Sequence, residues 1–204
     1  MTRALQEIQA DHIDYRGRKL VVDGILGPIT RWALTLDELP PVPREAVKAA
    51  LRALHAGVRE APWGANHGPE IDGYLRLCGL PPGHPWCAAF VSWCAVRAGS
   101  TLVPTASVAK LVDRLLVKVE PAVGHVGYWL RDDGTGHCGI VTLVDGDLIG
   151  MVEGNSGDAV RFRVRHASEL DFGALPGRAS CIGSLPRLSA TDVVPTGNDV
   201  AATR

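Results

Sequence analysis

The apolar positions of this chain change period about half-way along. From residue 44 onward they recur every three or four places, the spacing of an amphipathic helix. Val47, Leu51, Leu54 and Val58 form one such face. Gly68-Pro69-Glu70 opens a second helix carrying Ile71, Tyr74, Leu75 and Cys78. An apolar third helix starts at Cys87 and ends near Gly99, and a fourth pattern runs over 106–117. Strand-like runs follow at 123–130, 139–144, 148–152, 159–164 and 181–185. In the fourth run Val160, Phe162 and Val164 alternate with Arg161, Arg163 and Arg165, which puts the arginines on a solvated face. Helices first and consecutive strands afterwards predict an α+β fold, with N-terminal helices packed on an antiparallel sheet.

Two segments flank this unit. Residues 1–36 hold two short helical patterns around a glycine-rich turn, a small helical module. Asp37-Glu38-Leu39-Pro40-Pro41-Val42-Pro43 reads as a stiffened linker over 37–43. The main domain then spans 44–185. The tail 186–204 is rich in Ser, Thr, Asp, Pro and Ala, has little to bury, and is expected to be disordered.

The 204 residues suffice for one full domain plus a small module. A formal net charge of −1 offers no overall attraction to nucleic acid or anionic lipid. No apolar run approaches the roughly 20 residues that span a bilayer, so membrane insertion is not expected. The first ten residues lack the apolar core of a secretory signal. The five cysteines, an odd number, favour free thiols over a disulfide framework. The expectation is a monomer made in the cytoplasm without a signal peptide.

The most chemically loaded stretch is Pro85-Trp86-Cys87-Ala88-Ala89-Phe90. Proline near the first helical position marks a helix start. Cys87 therefore sits where free backbone N–H groups and the helix dipole favour an anion, which lowers a thiol pKa. Such a nucleophile needs a base. Residues 136–144 and 148–155 read as a hairpin around Asp145-Gly146-Asp147. A three-residue loop sets Val144 opposite Leu148 and His137 opposite Asn155, with Glu153 diagonal to His137 on the same face. A two-residue turn would shift the pairing by one and break the group. The candidate set is Cys87 as nucleophile, His137 as base and acid, and Glu153 or Asn155 as orienter. One oxyanion donor is the backbone N–H of Cys87. Asn66 is a candidate second donor. Trp86 and Trp63 are candidate lining of a substrate cleft.

Trp86-Cys87-Ala88-Ala89-Phe90-Val91-Ser92-Trp93, Gly136-His137-Cys138-Gly139-Ile140-Val141 and Glu153-Gly154-Asn155-Ser156 together resemble the CHAP family of cysteine, histidine-dependent amidohydrolases and peptidases, over residues 60–185. The resemblance implies a papain-like α+β fold that cleaves amide bonds in bacterial peptidoglycan, without a cofactor or metal. Trp86 stands where many members carry a Gln, and Gly124-His125 stands where a Gly-Asp often begins the strand. Leu5-Gln6 and Val22-Asp23-Gly24-Ile25-Leu26-Gly27-Pro28-Ile29-Thr30-Arg31 resemble the small helical peptidoglycan-binding domain. This implies a wall-binding module with Asp23, Gly24, Gly27 and Thr30 at its turn, Ile25 and Leu26 in its core, and Trp32 and Leu34 buried by its second helix. The resemblance implies an amidase or endopeptidase reaching the cell wall by release or non-Sec export. A non-catalytic wall-binding protein and an acyltransferase with the same cysteine are the alternatives.

Cys78, Cys94, Cys138 and Cys181 are read as core residues. A zinc site from Cys78, His84, Cys87 and Cys94 lacks the Cys-x-x-Cys knuckle of structural zinc.

Overall fold

The computed structural model describes residues 2–117 and 119–177. The expected strand at 181–185, Cys181 and the tail 186–204 lie outside the described residues. Two helices open the chain, α1 (Thr2–Asp11) and α2 (Pro28–Glu38), each begun or followed by turns rich in glycine and proline. Helices α3 (Pro41–His55), α4 (Pro69–Leu77), α5 (Cys87–Arg97) and α6 (Val108–Val112) follow. Pro28, Pro41 and Pro69 each occupy the first turn of their helix, where the missing N–H costs nothing. The stretch from Asp37 to Pro43 contains the end of α2 and the start of α3. The fourth helix stops at Val112, earlier than its apolar pattern suggests, and the chain passes into a two-residue strand, β1 (Leu116–Val117).

The sheet is completed by β2 (Val126–Leu130), β3 (Gly136–Asp145), β4 (Leu148–Glu153), β5 (Arg161–His166) and β6 (Asp171–Ala174). The order across its six strands is β1-β6-β2-β3-β4-β5, all antiparallel. Strand β6 is too short, and too broken by Gly173, to show in the sequence pattern. The fold is α+β, with helices on one face of an antiparallel sheet. Helix α5 is its centre: Ala88, Ala89, Phe90, Val91, Cys94 and Ala95 are all fully buried. An apolar helix buried on several sides is the expected core element of such a layered domain.

Residues 2–36 join this core. Tyr15, Leu20, Trp32, Ala33 and Leu36 belong to the same buried cluster as Phe90, Ile140 and Val152. Ile25 and Leu26, expected to fill the module's interior, are 64% and 43% exposed. They lie on the turn between α1 and α2, and Trp32 supplies the buried bulk in their place.

The hairpin corrects the sequence reading in an instructive way. Its turn has two residues, Gly146 and Asp147, with Asp145 opposite Leu148 and Leu143 opposite Gly150. A shift in register then falls between Val141 and Leu143, which makes Thr142 a β-bulge. Beyond it Val141 faces Met151 and Gly139 faces Glu153. The short turn and the bulge cancel, so the pairing near the site is the one expected from a three-residue loop.

Candidate active site

Cys87 is the first residue of α5, and the carbonyl of Trp86 accepts the first intrahelical bond, from the Phe90 N–H, at 2.9 Å. The backbone N–H of Ala88 lies beside the Cys87 sulfur and favours its thiolate. His137 stands near the start of β3 and reaches the same sulfur. Its Nε2 lies 2.9 Å from Glu153 Oε2, which leaves Nδ1 for the thiol. Glu153 closes β4 and is fully buried. A buried carboxylate must be paired. It receives Arg165 Nε on Oε1 at 2.6 Å and Arg165 Nη2 on Oε2 at 2.9 Å. The result is a continuous chain of contacts, Cys87–His137–Glu153–Arg165. Trp129 caps it, with its ring centroid 4.9 Å from that of His137 and 4.3 Å from the Arg165 guanidinium carbon.

Each titratable member is shifted in a consistent direction. The Cys87 thiol is held well below its ordinary value, first by a hydrogen bond from Cys138, then by His137 and the Ala88 N–H, against burial. Burial alone would lower His137, but its bonds to Cys87 and Glu153 outweigh it and raise the imidazole to about 9. Burial would raise Glu153; His137 and Arg165 overcome it and hold the carboxyl at about 2. The shifts all favour a thiolate beside an imidazolium and an ionised carboxylate.

Cys87, His137 and Glu153 are brought together. Asn155 is not on the imidazole: at φ 56° it turns away, and its Nδ2 donates to Asn66 Oδ1 at 3.3 Å. Asn66, at φ 48°, is anchored through its N–H to Glu60 Oε2 at 2.7 Å. Trp86 faces the interior instead of a cleft. It is fully buried, and its indole N–H donates to Glu60 Oε1 at 2.9 Å. Glu60 thus ties the residue before Cys87 to the loop bearing Asn66. Trp63 is 57% exposed and lies 6.0 Å from the Arg161 guanidinium carbon.

Three contributors escape sequence reasoning. Arg165 belongs to a row of arginines that looked solvated, yet Arg161 bonds Ser156 O, Arg163 bonds Ser156 Oγ, and Val164 is the exposed residue. Cys138 is a core residue, as expected, but its thiol also lies beside Cys87 and favours the Cys87 thiolate. Glu60 carries no motif. The alternation of β5 could have flagged Arg165, since a strand beside an acidic strand end needs a cation. His12, His55, His67 and His125 bond Asp37, Gly17 O, Asp72 and Glu120 O, away from the thiol.

Asp23, Gly24, Gly27 and Thr30 gather on one turn around Gln9, which is buried. Gln9 Nε2 reaches Asp23 Oδ1 at 2.8 Å and Thr30 Oγ1 at 3.3 Å, and its Oε1 accepts the Gly24 N–H at 2.8 Å. Gly27 precedes α2. Asp23, Gly27 and Thr30 line a groove of about 420 Å³ with Lys19, Ile25 and Ile29.

Residues 79–155 match the family model of the CHAP domain. The match contains Cys87, His137 and Glu153. No curated protein and no solved structure matches the chain. Among the described residues no helix is long and apolar enough to cross a membrane, and no three His, Cys, Asp or Glu side chains are placed to share a metal.

Proposed function

We propose that the protein is a cysteine amidohydrolase that cuts an amide bond of peptidoglycan, as an amidase at the sugar–peptide junction or as an endopeptidase within the stem or cross-bridge. The observation that carries this reading is the Cys87–His137–Glu153 chain inside the segment that matches the CHAP domain. The Cys87 thiolate attacks the amide carbonyl carbon and the carbonyl π electrons move to oxygen. The Cys87 N–H at the helix start, with Asn66 held by Glu60 and Asn155, would receive that oxyanion. The tetrahedral intermediate collapses, the C–N bond breaks, and the His137 imidazolium gives its proton to the leaving amine. A thioester remains. Neutral His137 then takes a proton from water, hydroxide adds to the thioester carbonyl, and Cys87 leaves as thiolate with the carboxylic acid released. Glu153 keeps Nε2 occupied throughout, so that Nδ1 faces the sulfur.

The groove around Asp23, Gly24, Gly27 and Thr30 would hold the glycan polymer, so that the substrate is bacterial cell wall and the working place is the wall.

Digestion of purified cell walls by wild type, Cys87→Ala and His137→Ala, read by muropeptide mass spectrometry, tests the reading. Release by wild type alone supports it, and the mass of the new end identifies the bond. Equal release by all three rejects it. Wall binding without release assigns a binding protein, and amine-adducted products assign an acyltransferase.

A further inference from the structure

We propose that the N-terminal helical segment is a register lock for the hairpin bearing His137 and Glu153: Trp32 and Tyr15 hold the Thr142 bulge that places the two residues on one side of the sheet. The inference rests on the reading of Cys87, His137 and Glu153 as the reacting group.

The turn sets Asp145 opposite Leu148, Val144 opposite Ile149 and Leu143 opposite Gly150. Continued unbroken, that ladder would set Ile140 opposite Glu153 and Gly139 opposite Gly154. Cross-strand partners share a face, and successive residues alternate. Glu153 would then lie on the face of Ile140 and Cys138, and His137 on the other. The extra residue at Thr142 shifts the offset by one, so that Gly139 faces Glu153 and the carboxylate reaches His137 two places along.

A bulge takes one residue out of the ladder, and its backbone groups need partners from elsewhere. Thr142 is fully buried, so water cannot serve. The Trp32 indole N–H donates to the Thr142 carbonyl at 3.0 Å. The Thr142 hydroxyl donates to the Tyr15 carbonyl at 3.0 Å, with only a longer 3.5 Å approach to Gly150 O inside the sheet. Tyr15 packs edge-on against Trp32 and tilts against Phe162 of β5, both at 5.9 Å between centroids. Both short bonds that hold the bulge thus come from residues 1–36. Neither Trp32 nor Thr142 touches the reacting atoms; they are positioning residues. A module that served only as a tether to the wall would leave the thiol chemistry alone.

The test follows alkylation of Cys87 by iodoacetamide against pH in the full chain, read at Cys87 by peptide mass spectrometry. A small reagent needs no wall binding. Trp32→Phe keeps an aromatic ring and removes the N–H; Thr142→Val removes the hydroxyl at constant shape; Thr142→Ser restores it. We expect Trp32→Phe and Thr142→Val to slow alkylation at pH 6 by about tenfold or more, since each unit of thiol pKa is a factor of ten in thiolate. Thr142→Ser and the exposed-site control Val103→Ser should follow wild type. Unchanged profiles in Trp32→Phe and Thr142→Val, with native circular dichroism, overturn the lock. If Trp32→Phe does not fold, the Thr142 pair decides: a shift in Val restored in Ser supports the lock, and no shift overturns it. The hydrolase reading fails separately, when wild type releases no muropeptides whatever the alkylation profiles show.

Discussion

A thiolate and an imidazolium are useful to each other only while both keep their charge. Cys87 loses its charge below its depressed pKa and His137 loses its own above about 9. The rate should therefore rise with pH as the thiolate forms, hold a plateau, and fall near pH 9; kcat/KM against pH on soluble muropeptides checks this. Arg165 sets the position of the alkaline limb. Removing it in Arg165→Gln lets the Glu153 carboxyl rise from about 2 but leaves it ionised near pH 9, frees its charge for the imidazolium, and moves the alkaline limb up. Arg165→Lys should restore part of the shift, because an ammonium replaces the charge but not the two-pronged fork. Glu153→Gln should lower kcat/KM by about 100-fold or more with little change in KM, since it removes orientation and proton-transfer help together. Cys138→Ala should raise the acid limb, because the Cys138 thiol is one of the groups that favours the Cys87 thiolate. At this scale Cys87 stood out in the sequence by its helix start, the flanking Trp86 and the distant group of His137, Glu153 and Asn155. Arg165 did not, since its partner sits on a different strand, twelve positions away along the chain.

At the scale of elements, the hairpin works because glycine lies where a side chain would block it. A Cβ on Gly139 would stand 2.7 Å from Val152 O and 2.9 Å from Glu153 Cγ, so Gly139→Ala must push either the strand or the carboxylate. We expect a loss of about 1–3 kcal/mol in urea unfolding, the usual cost of overpacking, together with a loss of activity beyond what the stability change explains. Gly154 meets α5 in the same way, with a Cβ only 2.5 Å from Phe90 Cβ, which brings the end of β4 onto the nucleophile's helix. The periodicities foretold α3, α4, α5 and strands β2 to β5 because each buries a face wide enough to mark the sequence. They overran α6 and missed β1 and β6, which are too short to carry a period. They also gave a three-residue turn where two residues and a bulge stand, because apolar alternation fixes which residues share a face and not where the extra residue is placed.

At the scale of the molecule, the N-terminal segment and the sheet share one buried cluster, which predicts a single cooperative unfolding transition. Calorimetry of the full chain should show one peak, and Trp32→Ala should lower it by about 3–5 kcal/mol of stability, the range for truncating a buried aromatic. Stability should also fall at both ends of the pH scale. Glu153 binds its proton more weakly folded, at about 2, than unfolded near 4.3, so its contribution is present above that range and is lost as pH falls through about 2. His137 binds its proton more tightly folded, at about 9, than unfolded near 6.5, so its contribution is complete below 6.5 and is lost as pH rises through 9. By itself the sequence determined helices first and strands after, the helix start at Cys87, and the three short motifs, because each is written in local spacing. Only the tertiary structure decided that Arg165 completes the charge chain, that Cys138 lies beside Cys87, that Trp86 turns inward to Glu60, and that Trp32 meets the Thr142 carbonyl. Those contacts join residues distant along the chain, and burial, which makes each of them necessary, exists only once the layers have closed.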